Sequence, residues 1–385
     1  MKPKRIGKKE GESRICYRFR IYPNKEQREK LDYVLEICRQ AYNILLGELQ
    51  DQVVIDKNMI QAILPDLKIC EPRFKEVYAK TLQYECYRLF SNLSTLSAIK
   101  KKGRKVGRLK FKGKDWFKTI NYNQSGFKLD RKNKRLKLSK IGDIKIKLHR
   151  EVEGKIKHIT IKKSINKWYA SIITDYNLKR KKGKGWIGLD VGIKNYLTDS
   201  NGNKINFSKD KYLKEQRKQC ESLSRKKEKS NNWNKQKLIL QKFYEKISEN
   251  RKDFLHKLSD KYVEEYKYIV VENLNINEMV NKDKQEKKDL TTKVIRGLNR
   301  NIHNAAWNMF FQMLEYKLKQ SGGQLIKVDP KNTTQMCSKC GEIKKGEDKL
   351  KLKDRIYKCN KCGFELDRDY NAALNILERG KKQKV

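Results

Sequence analysis

The sequence lacks any apolar run approaching the roughly 18 residues that mark a membrane helix, and no leader signal opens it. Membrane-spanning and secreted classes are therefore not expected. It is also short of acid: 46 Asp and Glu stand against 93 Lys and Arg, a formal net charge of +47 over 385 residues. Such a chain repels itself unless a polyanion neutralises it, and its basic residues run through the whole length, so nucleic acid is the expected partner. Apolar residues are only 37% of the chain, yet 9% aromatic content is too much for a disordered polycation. The length allows two or three cores. No evenly spaced disulfide framework is present: Cys16, Cys38, Cys70, Cys86 and Cys220 are scattered and four cysteines gather late, as in a reducing compartment. No internal repeat is visible.

Residues 1–12 are basic and aperiodic and read as a flexible arm. ICYRFRIYP alternates and reads as a strand. From Asn24, an N-cap, the residues Leu31, Val34, Leu35, Cys38, Tyr42, Leu45 and Leu46 share one helical face. Pro65 and Pro72 are expected to break the next stretch, before a second helix from about Phe74 to Ile99 and the basic loop KKKGRKVGRLKFKGK. Residues 117–176 alternate over short spans and predict a twisted antiparallel sheet or barrel with one cationic face. After KRKKGKG, GWIGLDVGIKNYLTDSNGNKINF predicts a hairpin. Residues 209–265 predict charged helix with its apolar stripe on LILQKFYEKI. KYIVVENLNI reads as a short buried strand, IHNAAWNMFFQMLEYKLKQSGG as one helix stopped by Gly322 and Gly323, and QLIKVDP as another strand. The alternation implies α/β layering.

Cys337, Cys340, Cys359 and Cys362 form two C-x2-C pairs with eighteen residues between them. Two such knuckles complete a tetrahedral thiolate site for zinc, and four cysteines leave no open position for water, so the ion is structural. Three acids carry a second signal. Asp190 lies inside WIGLDVGI, where a carboxylate is costly unless it faces a cleft or a cation. Glu272 ends the apolar run YIVVE, and Asp369 opens an Ala-rich helix in DRDYNAALNIL. Singly, each reads as a strand end or a helix cap. Together they are what a two-metal phosphodiesterase needs: carboxylates holding two Mg²⁺ ions roughly 4 Å apart.

GLDVGIKNYLTDSNG, IVVENLNI and DRDYNAALNIL resemble the three split segments of a RuvC-type nuclease domain, which has an RNase H-like fold. The knuckles preceded by VDPKNTTQMCSKCG resemble those of the TnpB family, RNA-guided nucleases encoded by insertion-sequence transposons and related to type V CRISPR effectors. RFRIYPNKEQREKLDYVLEICRQAYN, GRLKFKGK, KWYASI, NRKDFLHKLS and IHNAAWNMFFQMLEYK extend the resemblance from about Ile15 to Leu377.

The resemblance implies a multidomain α/β protein. Residues 1–23 would be the basic arm and first wedge strand, 24–107 a helical recognition domain, and 108–180 a β-barrel-like wedge domain. Residues 181–331 would hold nuclease segments one and two, 332–365 a target-loading zinc ribbon, and 366–385 segment three and a basic tail. It implies Asp190, Glu272 and Asp369 as catalytic acids and Mg²⁺ ligands. Asp367 competes with Asp369, but the family's acid stands two residues before the asparagine, here Asn371. It implies a guide RNA from the transposon end and target double-stranded DNA beside a short adjacent motif as partners. A single chain free of membrane, in a prokaryotic cytoplasm near the nucleoid, is the expected setting. Gln83, Asn121 and Gln124 could meet base edges, and Lys110 and Lys112 of the basic loop could meet phosphates.

Three other readings stand beside this one. A catalytically idle RNA-guided regulator is disfavoured by the presence of all three acids. A miniature type V CRISPR effector would share the chemistry and differ in the source of its guide. A DNA-strand transposase would need a nucleophilic tyrosine and a His-rich metal site, whereas His149, His158, His256 and His303 are widely scattered.

Overall fold

In β1 (Arg14–Tyr22) alternate side chains Tyr17, Phe19 and Ile21 are buried, while Arg14 and Arg18 face outward. The structure, a computed structural model, describes residues 14–50, 56–176, 178, 180–207, 210–281, 292–351 and 354–384; the basic arm expected at 1–12 lies outside them. The chain divides into two compact units, Met1–Asn177 and Leu178–Val385.

In the first unit, α1 (Lys25–Gln50) begins at a reciprocal cap. Asn24 Oδ1 accepts from the Gln27 N–H at 2.8 Å, and Gln27 Oε1 accepts from the Asn24 N–H at 3.1 Å. All seven residues of the expected apolar face are buried, joined by Ile37, Ala41 and Leu49. The helix α2 (Lys57–Cys70) runs through Pro65 rather than breaking there. Pro65 sits on the exposed side, where the Gln61 carbonyl it deprives of a donor can turn to water, while Ile60 and Leu64 anchor the other side. Pro72 does start a separate 3₁₀ turn, Pro72–Lys75, which buries Phe74. So α3 (Ala79–Lys101) begins five residues later than expected.

Seven antiparallel strands complete this unit: β1, β2 (Thr119–Asn123), β3 (Phe127–Asp130), β4 (Arg135–Leu138), β5 (Gly142–Lys147), β6 (Lys155–Ser164) and β7 (Lys167–Asp175). Their order is β2-β6-β7-β1-β5-β4-β3. Of the two forms expected, sheet or barrel, the strands make an antiparallel sheet: no ladder joins the end strands β2 and β3 among the described residues. Only Gln124–Gly126 separate them in the chain, a span of at most about 14 Å, so the sheet must curl until its two ends lie near each other. The helix α3 is latched to β2. Thr81 Oγ1 donates to the Asn121 carbonyl at 3.0 Å, Arg88 Nη2 to Thr119 Oγ1 at 2.9 Å, and the Tyr78 hydroxyl to Asn123 Oδ1 at 2.6 Å.

Glu85 of α3 is 0% exposed. Arg88 Nε lies 3.3 Å from its Oε2, within ion-pairing reach, but neither carboxylate oxygen has a hydrogen bond. Burial pushes its carboxyl up to about 8, against the pull of Arg88. A group raised in the folded state favours folding most at low pH. Its contribution is complete below the unfolded value near 4.5 and is lost as pH rises to about 8. Glu85→Gln should therefore melt close to the wild type at pH 5 and progressively higher than it toward pH 9, the gap reaching the order of a few kcal/mol. Melting curves that stay parallel across that range would remove Glu85 as a buried neutral acid.

The second unit is a five-stranded sheet in the order β10-β9-β8-β11-β12: β8 (Trp186–Val191), β9 (Leu197–Asp199), β10 (Lys204–Ile205), β11 (Tyr268–Glu272) and β12 (Gln324–Val328). The expected hairpin is thus a three-stranded antiparallel meander, and β11 and β12 add to it in parallel. Between β10 and β11 run α4 (Asp210–Ser224) and α5 (Asn231–Glu265). The expected apolar stripe LILQKFYEKI is half-buried or exposed. The buried stripe of α5 lies further on, at Leu255, Leu258, Tyr262 and Val263. After α6 (Ile276–Asn281), the expected single helix proves to be two, α7 (Thr292–Ala305) and α8 (Trp307–Ser321). Ala306 breaks it with a left-handed φ of 55°. In an unbroken helix Ala305 and Trp307 would point to nearly opposite sides, and the break lets both enter one core. Gly322 ends α8 as expected.

The two faces of this sheet pack differently. Ile187, Leu189, Val191, Ile269 and Val271 pack on Leu255, Tyr262, Phe310 and Leu314 of α5 and α8. The opposite face, with Trp186, Val270, Ile326 and Val328, packs on Ile376 and Leu377 of α9 (Arg368–Lys384). Contact there is close enough to need glycine on both sides. A Cβ on Gly188 would strike the Ala373 carbonyl and Leu377, and one on Gly380 would strike Val270. Between β12 and α9 lies a small hairpin, β13 (Ile356–Lys358) with β14 (Glu365–Asp367).

Candidate functional site

Side chains two apart on a strand share a face, so Asp190 points to the same side as Gly188, toward α9. The parallel register Leu189↔Val271, carried one step on, sets Glu272 beside Asp190 at a strand spacing of about 4.8 Å. On α9, Asp369, Ala373, Ile376 and Gly380 fall at three- and four-residue spacing on one helix face, the face laid on β8 and β11. The geometry thus brings the three expected acids to one place, at the carboxyl ends of two neighbouring strands and the start of one helix.

Their electrostatics agree. Burial first, and then the charges of Glu272 and Asp369, push the Asp190 carboxyl well above the ordinary carboxylate range, with Arg368 opposing. Glu272 is 8% exposed. Burial raises its carboxyl, while the hydrogen bond from Thr333 and the charge of Arg379 pull it down. Crowded carboxylates held away from water are the environment that a divalent cation relieves. Among the described residues, the four cysteines alone form a group of three or more metal-ligating side chains whose donor atoms all lie within 4.8 Å of one another.

Asp367 and Asp369 are separated by their surroundings. Asp367 caps α9, its Oδ1 accepting from the N–H groups of Asp369 and Tyr370 at 3.1 Å, and its Oδ2 accepts from Lys204 Nζ at 2.6 Å. Burial would raise its carboxyl, but Lys204 and these N–H groups outweigh it and hold it below the ordinary range. Asp369 instead meets Asn195 Nδ2 at 3.3 Å, from the β8–β9 turn, and Arg368 at 3.2 Å.

The four cysteines form two matching knuckles. Gly341 N–H bonds back to the Cys337 carbonyl and Gly363 N–H to the Cys359 carbonyl, with φ of 76° and 70° at the two glycines. Sγ separations of 3.8 Å (Cys337–Cys362) and 3.6 Å (Cys340–Cys359) match the edge of about 3.8 Å for a tetrahedron with 2.3 Å metal–sulfur bonds. This donor set fits zinc. The protein core around it is small: Cys337, Tyr357 and Cys359, with Leu350 and Phe364.

The expected nucleic-acid contacts all fall in the first unit. Gln83 on α3 is half-buried, Gln124 is exposed on the turn between β2 and β3, and Lys110 is exposed. Asn121 is engaged internally, accepting from Thr160 Oγ1 at 2.7 Å. Lys112 anchors the basic loop: Asn43 accepts from its backbone N–H, and Arg39 and Asn43 donate to its carbonyl. Sequence reasoning passed over Trp116, 84% exposed, and Phe111, 56% exposed, on the same cationic loop. An aromatic interleaved with lysines was the available signal. It also passed over Thr333, Asn195 and Lys204, whose roles depend on contacts far along the chain. The four histidines stay divided, His149 and His158 in one unit and His256 and His303 in the other.

Comparison with known proteins adds three family matches: a probable transposase over residues 170–283, a helix-turn-helix domain over 14–54, and a Cas12f1-like TNB domain over 307–376. Within the second of these, residues 14–50 form a strand followed by one long helix. InsQ of Escherichia coli strain K12, provisionally named an RNA-guided DNA endonuclease, is 32% identical over 70% of this chain and 68% of its own length. A Streptomyces pristinaespiralis protein with the same provisional designation is 28% identical over 95% of this chain and 89% of its own. The cryo-EM structure of a Cas12f1–sgRNA–target DNA complex superposes with a TM-score of 0.53 at 20% identity, over 92% of this chain and 83% of that one, a likeness of fold. No helix of the described residues is long and apolar enough to cross a membrane.

Proposed function

The chain belongs to the TnpB family, and from that premise we propose that it is an RNA-guided DNA endonuclease, cutting double-stranded DNA beside a short transposon-adjacent motif by Mg²⁺-dependent hydrolysis. The observation that carries this reading is the meeting of Asp190, Glu272 and Asp369 on the α9 face of the second sheet. Three antiparallel strands followed by two parallel ones support a RuvC-type, RNase H-like assignment for residues 181–331 and 366–385, with the ribbon at 332–365 loading the target. Two Mg²⁺ ions, when bound, supply the charge that activates water and steadies the leaving oxygen. The chain's own part is to hold ligands. Asp190 stands between the other two acids, Thr333 braces Glu272, and Asn195 fixes Asp369. Arg368 stands beside them, ion-paired with Asp369 at 3.2 Å and lowering the Asp190 carboxyl by its charge.

In the first unit the helices of residues 24–107 are assigned as the recognition domain. The curled sheet, with 1–23 and 108–180, is assigned as the wedge. Gln83, Gln124, Lys110, Lys112 and the exposed Trp116 would face nucleic acid, and Asn121 is the least available of the set. The basic surfaces would hold guide and heteroduplex by their backbones while base pairing reads sequence. The Cas12f1-like match favours one second reading, a guide from a CRISPR array instead of the transposon end. Sequencing the RNA that copurifies with the protein separates the two, in the prokaryotic cytoplasm where such a chain would work. A single RNA species should appear, and replacing its variable segment should redirect cleavage to the matching duplex. Cleavage indifferent to that replacement would end the RNA-guided reading.

A further inference from the structure

The strap of residues 329–338, running from β12 into the first cysteine pair, is tied to α9 by three side chains spaced four residues apart. Asn371 Nδ2 donates to the Met336 carbonyl at 2.7 Å, and its Oδ1 accepts from the Ser338 N–H at 3.0 Å. Asn375 Nδ2 donates to the carbonyls of Thr333 at 2.8 Å and Met336 at 2.7 Å, and Arg379 Nη1 to those of Asp329 and Lys331 at 2.7 Å. Asn371 and Asn375 are buried, so these bonds are shielded from water. At the middle of the strap, the buried Thr333 hydroxyl reaches Glu272 Oε1 at 2.6 Å and the Pro330 carbonyl at 3.2 Å. A hydroxyl has one proton, and the shorter, charge-assisted contact takes it. Glu272 is thereby held through Oε1, and Oε2 takes no part in that bond.

Resting on the nuclease reading above, we propose that Thr333 is a positioning residue for Glu272, and that the strap is the mechanical link by which α9 and the root of the cysteine ribbon set the geometry of the acid cluster. The seating works from both sides of the site. The same helix carries Asp369 on its sheet-facing side and the strap on its Asn371–Asn375–Arg379 side. Two of the three acids are therefore fixed relative to each other by one helix and one hydroxyl. A partner that orients a metal-binding carboxylate typically changes metal affinity or activity 10–100-fold when removed.

The test compares the RNA-bound wild-type protein with Thr333→Val, which removes the hydroxyl at nearly constant volume, and Thr333→Ser, which keeps it. Two quantities are read. One is the Mg²⁺ concentration giving half-maximal DNA cleavage. The other, without turnover, is Mn²⁺ binding followed by electron paramagnetic resonance, with the Asp190→Ala protein as background. Thr333→Val should raise both half-saturation points at least about tenfold, and Thr333→Ser should stay within about threefold of wild type. Should Thr333→Val not fold, Thr333→Ala against Thr333→Ser differs in the hydroxyl alone and carries the same comparison. Equal metal dependence with and without the hydroxyl overturns the positioning role. A wild-type protein that binds Mn²⁺ but never cuts would count against the nuclease reading, and the Mn²⁺ comparison would still decide for or against Thr333.

Discussion

Asp190→Ala is expected to lower target cleavage by at least about a thousandfold while leaving guide-dependent DNA binding within a few-fold of wild type. Asp190 is the acid on which the others converge: its carboxyl is raised by burial and by the charges of both Glu272 and Asp369. On the proposed reading its removal takes away one metal ligand, whereas affinity for DNA would come from phosphate contacts made by a chain of net charge +47. A general loss of structure predicts something different. Because Asp190 is raised in the folded state, at neutral pH it weakens the metal-free fold, and its removal should leave the melting temperature equal or higher. A variant that melts normally, binds target and does not cut is the expected result. Cleavage near wild type would take Asp190 out of the site.

The second large effect concerns the cysteines. Cys359→Ser should cost the protein its tightly held zinc, and residues 336–364 should become open to protease. So small a cluster as Cys337, Tyr357, Cys359, Leu350 and Phe364 cannot hold a fold without the metal, whose binding contributes on the order of 10 kcal/mol in comparable sites. Backbone N–H groups, that of Cys362 first, hold the Cys359 thiol below its ordinary range against burial, which favours the thiolate a metal binds. Because Asn371 and Asn375 grip the strap that enters the ribbon, loss of zinc should also impair cleavage. Elemental analysis of fresh wild-type protein should give one zinc per chain, unaffected by Mg²⁺. Finding none, or an equally protease-resistant Cys359→Ser, would rule out a structural zinc.

Local periodicity was enough to place β1, α1, the other strands of the first sheet, and β8, β11 and β12, because burial there follows alternation, a short apolar run or a 3.6-residue face; it merged β9 and β10 into one strand. The cysteine pairs were equally plain, since their spacing is itself the geometry of two knuckles. The acids were different. Each had an ordinary explanation by itself; their settings together suggested a metal-binding set, and the resemblance of three separated segments tied Asp190, Glu272 and Asp369 to one site. The sequence could not show how that meeting is built. It depends on glycine at 188 and 380 opposite Ala373 and Val270, pairs more than a hundred residues apart in the chain. The left-handed Ala306 was illegible because alanine is a strong helix former, and the burial of Trp307 overrides that preference. Pro65 misled in the opposite way: its lost bond and ring clash are tolerated on an exposed side while Ile60 and Leu64 anchor the buried one. The stripe expected on LILQKFYEKI failed because apolar spacing shows that a face exists, not that anything covers it. Ile239 remains 41% exposed.

The claim on which the rest depends is that Asp190, Glu272 and Asp369 form a single hydrolytic centre. The most direct measurement is a quenched time course with Glu272→Gln on a duplex carrying a different label on each strand, in the presence of the matching guide. One centre must cut two strands in succession, the displaced strand first because it enters without unwinding. Replacing Glu272 by a neutral amide of the same shape should then suppress both cuts together. Loss of one cut with the other proceeding at the wild-type rate would require a second active site and would contradict the account.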